Sequence, residues 1–251
     1  MTVRSARART RTACTIGASV RVALGAFALA SPCAALESWG GSLVLTSDYL
    51  VRGISRSDHN PALQGDWHFR TAAGLIGGVF ASSVQFAPDE PRSAEVSVFA
   101  GYAWRRGGDW RARALATHYS YPRNEAGSRY NYDELSVDAG YRGWLNLSFV
   151  YSPNAPRYLS SGGLTGVSAT SADISLISPW RQRLAATAGA GYSRIGGPEG
   201  AGYYYWSAGV VCDLAPWSMS VAYEDTSEAA KYLFFNAAAH DRWMATLVWR
   251  F

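Results

Sequence analysis

Counting back in twos from Phe251 gives Trp249, Leu247, Ala245 and Trp243, whereas the residues between them, Arg250, Val248, Thr246, Met244 and Arg242, are mixed and partly charged. Alternation with a period of two predicts a strand with one apolar face. Strands that cross a membrane as part of a barrel need about 9 to 11 residues, apolar outward and polar inward. The final segment has that length and that face. Similar alternation recurs between turn signals in about twelve segments, near 42–54, 62–71, 75–86, 94–105, 110–121, 131–141, 144–151, 168–178, 184–194, 203–214, 217–225 and 241–251. In the second, Leu63, Trp67 and Phe69 alternate with Gln64, Asp66, His68 and Arg70; in the sixth, Leu135, Val137, Ala139 and Tyr141 alternate with Glu134, Ser136, Asp138 and Arg142.

The connections sort by parity. Ser55 to Pro61, Ala87 to Ser93, Pro122 to Tyr130, Ser152 to Val167, Ile195 to Gly202 and Thr226 to His240 are long and polar, while Ala72 to Gly74, Arg106 to Asp109, Arg142 to Gly143, Pro179 to Arg183 and Ala215 to Pro216 are short. An even number of antiparallel strands with long loops at one end and tight turns at the other is the arrangement of outer-membrane barrels. Aromatic residues fall where two interfaces should lie: Trp104, Trp110, Trp144, Trp180, Trp217 and Trp249 near the short turns or the C-terminus, and Phe86, Tyr121, Tyr151, Tyr203 and Trp243 toward the long loops. The expected fold is therefore an all-β, transmembrane, antiparallel up-and-down barrel of about twelve strands.

The N-terminal segment changes how charge and cysteine are read. Arg4, Arg7, Arg9 and Arg11 precede an apolar run from Val22 to Ala30, with Ala28, Ala30, Ala34 and Ala35 supplying small residues for cleavage. This predicts a cleaved secretory signal over residues 1–35, ending after Ala30 or Ala35, and a single barrel domain over 36–251. Cys33 follows Pro32, which does not suit a lipidation site. The leader carries five of the 23 Lys+Arg and none of the 19 Asp+Glu, so the formal charge of +4 belongs mostly to it. The remainder is close to neutral, which removes any electrostatic argument for nucleic acid. Cys212 is left without a disulfide framework. Beyond the leader no apolar stretch is long enough for a membrane helix. Aromatic content of 14% with 15 Tyr and 10 Trp exceeds what a soluble core usually needs.

Residues Ser47-Asp48-Tyr49-Leu50-Val51-Arg52-Gly53-Ile54-Ser55, with Asn60-Pro61-Ala62-Leu63-Gln64-Gly65 after them, resemble the opening signature of the TorF-type porin family of proteobacterial outer-membrane proteins. Gly-Tyr pairs such as Gly101-Tyr102, Gly140-Tyr141 and Gly191-Tyr192 are similar to that family more loosely, and Arg56 departs from it. The resemblance implies a barrel and, by name, a pore. A terminal aromatic such as Phe251, with Trp249, also resembles the signal that barrel-assembly machinery reads.

On the period-two phase, Asp48 and Arg52 share the inward face of the first strand, Gln64, Asp66, His68 and Arg70 that of the second, and Glu134 and Asp138 that of the sixth. These are the pore-lining candidates, because opposed charges in a lumen set selectivity. Eight strands leave an interior filled by side chains and sixteen leave a water channel; twelve lies between. The expected function is a channel for small solutes in the bacterial outer membrane, reached through the general secretory pathway, with membrane lipids, assembly machinery and solutes as partners. A structural barrel or adhesin would use the longest loops, near Ser160 and Phe234; the Leu233-Phe234-Phe235 cluster could instead fold into the mouth. An enzyme is the other alternative: His118 and Ser120 are two apart on an outward face, as in outer-membrane lipid hydrolases and deacylases, where Ser needs a neighbouring base to attack an acyl ester. Glu134 on the next strand is the available carboxylate to orient the His, although its phase points inward. The four His, including His59 and His240, show no metal-ligand spacing, and neither a metal nor a cofactor is expected.

Overall fold

The computed structural model describes residues 38–88, 91–106, 108–122, 130–159, 163–179, 181, 183–196, 200–234 and 238–251. The leader with Cys33, and Ser160, Trp180 and Phe235, lie outside the described residues. In chain order the elements are β1 (Ser38–Thr46), β2 (Leu50–Val51), β3 (Ile54–Ser55), β4 (Ala62–Arg70), β5 (Leu75–Val84), β6 (Ser93–Arg106), β7 (Trp110–Ser120), β8 (Tyr132–Tyr141), β9 (Leu145–Leu159), β10 (Gly163–Pro179), β11 (Leu184–Ile195), β12 (Ala201–Leu214), β13 (Trp217–Thr226), α1 (Glu228–Leu233) and β14 (Arg242–Arg250). Twelve of the strands form a closed barrel in sequence order, and β2 and β3 pair only with each other. Antiparallel pairing of β1 with β14, Leu43 opposite Trp249 and Leu45 opposite Leu247, shuts the ring.

The polarity of this barrel is inside out relative to a soluble protein. Leu63 is 61% exposed and Leu135 and Val137 are each 55% exposed, whereas Gln64, Asp66, Glu95, Arg113, Glu134, Asp138 and Glu224 are buried. In water such a belt would forfeit roughly 1.5–3 kcal/mol for each large apolar side chain left uncovered, and patches of this extent mark contact with another apolar phase. The outer face meets lipid, so the chain spans a membrane.

The aromatic girdle is partly as expected. Trp104, Trp110, Trp144, Trp217, Tyr151 and Trp243 are exposed on the outer face. Tyr121 and Tyr203 instead turn inward, because the odd-numbered residues of β7 and β12 face the lumen, and Phe86 lies beyond the end of β5 and stacks on Tyr130 at 5.1 Å.

The largest departures from the periodicity are at three strand ends. β9 and β10 continue past the wall as one long hairpin, Ala155 opposite Val167, so the Ser152 to Val167 segment is mostly strand rather than loop. Pro153 and Pro156 interrupt the alternation, and a register shift between Val167 and Ala169 changes its phase. The first strand stops at Thr46, eight residues before the predicted end at Ile54. The chain between Thr46 and β4 leaves the wall, and that departure positions the candidate site.

Candidate functional site

Instead of climbing out of the barrel, residues 47–61 fold across its mouth. Arg56 N–H donates to the Tyr49 carbonyl at 2.7 Å, and β2 and β3 pair inside that bond. The tip is Arg52-Gly53, with φ of 54° and 77°. Positive φ at both central residues matches a type I′ turn, whose twist suits a two-residue hairpin. Gly53 is required twice over, since a Cβ there would also lie 2.5 Å from Thr226 Cγ2 and 2.9 Å from Tyr205 Cβ. Arg52 is the unusual residue, because a non-glycine side chain at positive φ is disfavoured. Its guanidinium compensates by donating from Nη2 to Glu134 Oε1 at 2.7 Å. Glu134 belongs to β8, nearly opposite β1 in the ring.

The base of the hairpin is held by Asp48. Its Oδ1 accepts from Ser55 Oγ at 2.6 Å and Ser57 Oγ at 2.7 Å, and its Oδ2 accepts from Arg242 Nη1 of β14 at 2.5 Å, with His59 Nδ1 3.5 Å away. The Tyr49 ring packs on Phe80, and its hydroxyl donates to Glu95 Oε1 at 2.8 Å, while Tyr121 donates to Glu95 Oε2 at 2.6 Å. Burial first, and the Glu95 carboxylate second, push the Tyr49 phenol well above its ordinary pKa, so it remains a donor. Arg56 lies over the Phe86 ring at 5.8 Å. Backbone bonds tie the segment to two more loops, Ser55 N to Ala238 O at 2.9 Å and Gln85 N to Arg56 O at 2.8 Å. The hairpin therefore contacts three strands of the ring, β6, β8 and β14, and two loops through charge and hydrogen bonds.

Below the hairpin, the lumen is lined by an ion pair and phenol–carboxylate hydrogen bonds. Arg113 Nε donates to Asp138 Oδ2 at 2.8 Å, Tyr119 to Glu134 Oε2 at 3.2 Å, and Tyr205 to Asp173 Oδ1. A cavity of about 80 Å³ between Tyr49, Arg52, Arg113, Tyr132, Glu134 and Asp138 opens directly under the tip. A larger one of about 540 Å³ lies at the short-turn end among Arg142, Trp144, Ile177, Arg181, Arg183 and Asp213.

The predicted site residues divide cleanly. Gln64, Asp66, His68 and Arg70 do turn inward along β4; Gln64 Nε2 donates to Ser82 Oγ at 3.3 Å, and Asp66 accepts from Ser42 at 3.5 Å with His68 Nδ1 3.6 Å away. Glu134 and Asp138 also turn inward, to Arg52 and Arg113. Asp48 and Arg52 are not on the face of a first strand. Their even phase continues that of Val44 and Thr46, but the left-handed tip sends them across the mouth. Trp249 stacks with Trp217 at 6.0 Å. Phe251 exchanges two backbone hydrogen bonds of 3.1 Å with Gly41, where a Cβ would stand 2.7 Å from the Phe251 ring. His118 and Ser120 face outward, and the carboxylate beside His118 is Asp133, since Glu134 points inward to Arg52 as its phase required. Tyr49, Glu95, Arg242 and Asp173 were missed. The phases of Glu95 and Asp173 were readable within their strands; the contacts of Tyr49 and Arg242 depend on the hairpin folding inward. No group of three or more His, Cys, Asp or Glu able to hold a metal occurs among the described residues.

Residues 33–251 match the model of a family described as bacterial protein of unknown function (Gcw_chp). No curated protein matches the chain. Among solved structures, the KdgM porin is 12% identical, with 84% of this chain and 99% of that chain covered and a TM-score of 0.51. The NanC porin is 10% identical over 84% of this chain and 98% of that chain, with a TM-score of 0.48. The likeness to the first is one of fold.

Proposed function

We propose that this chain, which belongs to the Gcw_chp family of bacterial proteins of unknown function, is an outer-membrane channel for small solutes whose outer mouth is constricted by residues 47–61. The observation that carries this reading is a lumen built for water inside a belt built for lipid. Inside the apolar belt the inward side chains are polar or charged, among them Gln64, Asp66, Glu95, Arg113, Glu134 and Asp138. A cavity of about 80 Å³ lies under the hairpin tip and one of about 540 Å³ at the short-turn end. A barrel filled for structural purposes would close such spaces with side chains.

The resemblance to TorF-type porins supports the same reading, because its residues, 47–55 and 60–65, are those that form and anchor the constriction. The pore-lining set is then Gln64, Asp66, His68, Arg70 and Asp138 in the wall, with Asp48, Arg52 and Glu134 at the constriction. Removal of residues 1–35 after export through the general secretory pathway leaves one barrel domain, delivered to the membrane by assembly machinery that reads Trp249 and Phe251. With the N-terminus in the periplasm, the short turns lie there and the hairpin faces outside.

Planar-bilayer recording of purified, refolded mature protein tests the reading. Steady conductance steps are expected, with cation/anion selectivity that changes in Arg70→Glu. A folded barrel that gives no steps at any voltage or salt concentration would refute it.

A further inference from the structure

The lipid face carries a polar cluster that a channel does not use. His118 of β7 and Asp133 of β8 are register partners, with His118 Nδ1 2.8 Å from Asp133 Oδ1. Asn154 of β9 grips the same residue from the other side: its Nδ2 donates to Asp133 Oδ2 at 3.0 Å and its Oδ1 accepts from the Asp133 N–H at 2.8 Å. Ser120 lies two residues after His118 on the same outward face. Ionisable side chains turned toward lipid are costly in the hydrocarbon, so they are kept for a task and held near the interface.

Their level fits that rule. His118 is two residues from the end of β7 and Asp133 one residue from the start of β8. At about 3.4 Å per residue, both lie within roughly 7 Å of the long-loop rim. Val98, the other register partner of His118, is exposed beside it, and Leu135 and Val137 extend the apolar belt below. This is the depth at which headgroups give way to acyl chains through ester bonds.

We propose that Ser120, His118 and Asp133 form an acyl-ester hydrolase site on the outside of the barrel, acting on lipids of the leaflet that surrounds it. Ser120 is the nucleophile and His118 the base. Asp133 is a positioning residue: fixed by Asn154, it holds the proton on Nδ1 and leaves Nε2 free to accept. In the first step Ser120 Oγ bonds to the ester carbonyl carbon and its proton passes to His118 Nε2. The carbon–oxygen bond to the lipid alcohol then breaks, and that alcohol leaves with the proton from His118. In the second step water from the headgroup layer attacks the acyl-serine, His118 takes a proton from it and returns it to Ser120 Oγ, and a free fatty acid departs. The sum is ester plus water giving acid plus alcohol, with no other reactant.

The test uses purified, refolded protein in mixed micelles of detergent with either diacyl phosphatidylethanolamine or lipopolysaccharide, with released fatty acid measured by mass spectrometry. Release from one of the two supports the site and identifies its lipid class. Ser120→Ala and His118→Ala should each lower the rate by about 100-fold or more. Asp133→Asn should lower kcat, leave KM unchanged and shift the pH profile of kcat. A lipid-like phosphonate should label Ser120 in the wild-type protein and fail to label it in Ser120→Ala. Conductance should be the same in all three variants, which separates this site from the lumen. Two results overturn the proposal: no release and no labelling from a barrel shown to be folded, or release that persists in Ser120→Ala.

Discussion

Asp48→Ala should release the hairpin from the mouth while leaving the barrel closed. The Asp48 carboxylate is 4% exposed and accepts hydrogen bonds from Ser55, Ser57 and Arg242. Its removal leaves the Arg242 guanidinium, itself largely buried, without its carboxylate. Breaking a buried pair by deleting one partner costs about 3–5 kcal/mol. Arg242 keeps its bonds to the Ala238 and His240 carbonyls, so the lower end applies. At 1.36 kcal/mol per factor of ten, about 3 kcal/mol shifts the ratio of docked to released hairpin by roughly 150-fold. The ladder from β1 to β14 does not involve Asp48, so resistance of the barrel to heat and detergent should hold. The assay pairs single-channel recording with limited trypsin digestion. In the docked hairpin the Arg52 side chain is held by Glu134 and the Arg56 carbonyl accepts from Gln85 N–H, and both residues become cleavage sites once it is released. The variant should be cut there and should show larger or noisier conductance steps. Unchanged conductance together with full protection of Arg52 and Arg56, in a folded barrel, would refute the latch.

The same geometry sets the outcome of four other perturbations. Arg52→Glu places a carboxylate beside Glu134 where a 2.7 Å ion pair stood; selectivity should move away from anions and trypsin sensitivity at Arg56 should rise, and Glu134→Arg in the same chain should restore protection. Alkaline pH should loosen the hairpin. The Tyr49 phenol is raised above its reference value of 10.0 by burial and Glu95, so its contribution to docking is complete below pH 10 and declines as pH rises above it. Conductance recorded from about pH 8 to about pH 11 should therefore increase above about pH 10, and Tyr49→Phe should reduce that change. Deleting Phe251 removes its two backbone bonds to Gly41, and changing both Trp249 and Phe251 to Asp removes the apolar belt at the seam; fractionation should find either variant in the periplasm, and normal membrane levels would contradict the role assigned to the terminus. Tags in the Thr226 to His240 connection should be reachable on intact cells and tags at Arg106 to Asp109 should not, whereas the reverse labelling would invert the orientation.

The membrane belt was legible because lipid imposes a local rule on every strand: each outward position must be apolar and each backbone group must find its partner in the neighbouring strand. That rule is written residue by residue, which is why Leu63, Trp67 and Phe69 gave the face of β4 and why the inward Gln64, Asp66, His68 and Arg70 came with it. It fails where the chain departs from the wall. Asp48 and Arg52 keep an even phase that continues β1, so alternation could not distinguish a longer strand from a hairpin bent into the mouth. The Arg52-Gly53 pair was the local sign of a two-residue turn.

By itself, the sequence determined the barrel, its strand number, the parity of its loops and the direction of its wall side chains, since each of these comes from period-two burial between two solvents. Only the tertiary structure decided what the inward groups do. Arg52 meets Glu134, Asp48 meets Arg242 and Tyr49 meets Glu95 across separations of 82, 194 and 46 residues. Such contacts exist because ring closure brings distant strands to opposite walls of one lumen. The register of β7 on β8 placed Asp133 beside His118 on the outside and sent Glu134, its neighbour in sequence, to the other face. A one-residue step along a strand reverses the side on which a group acts, and only the register of the folded sheet tells which partner it finds there.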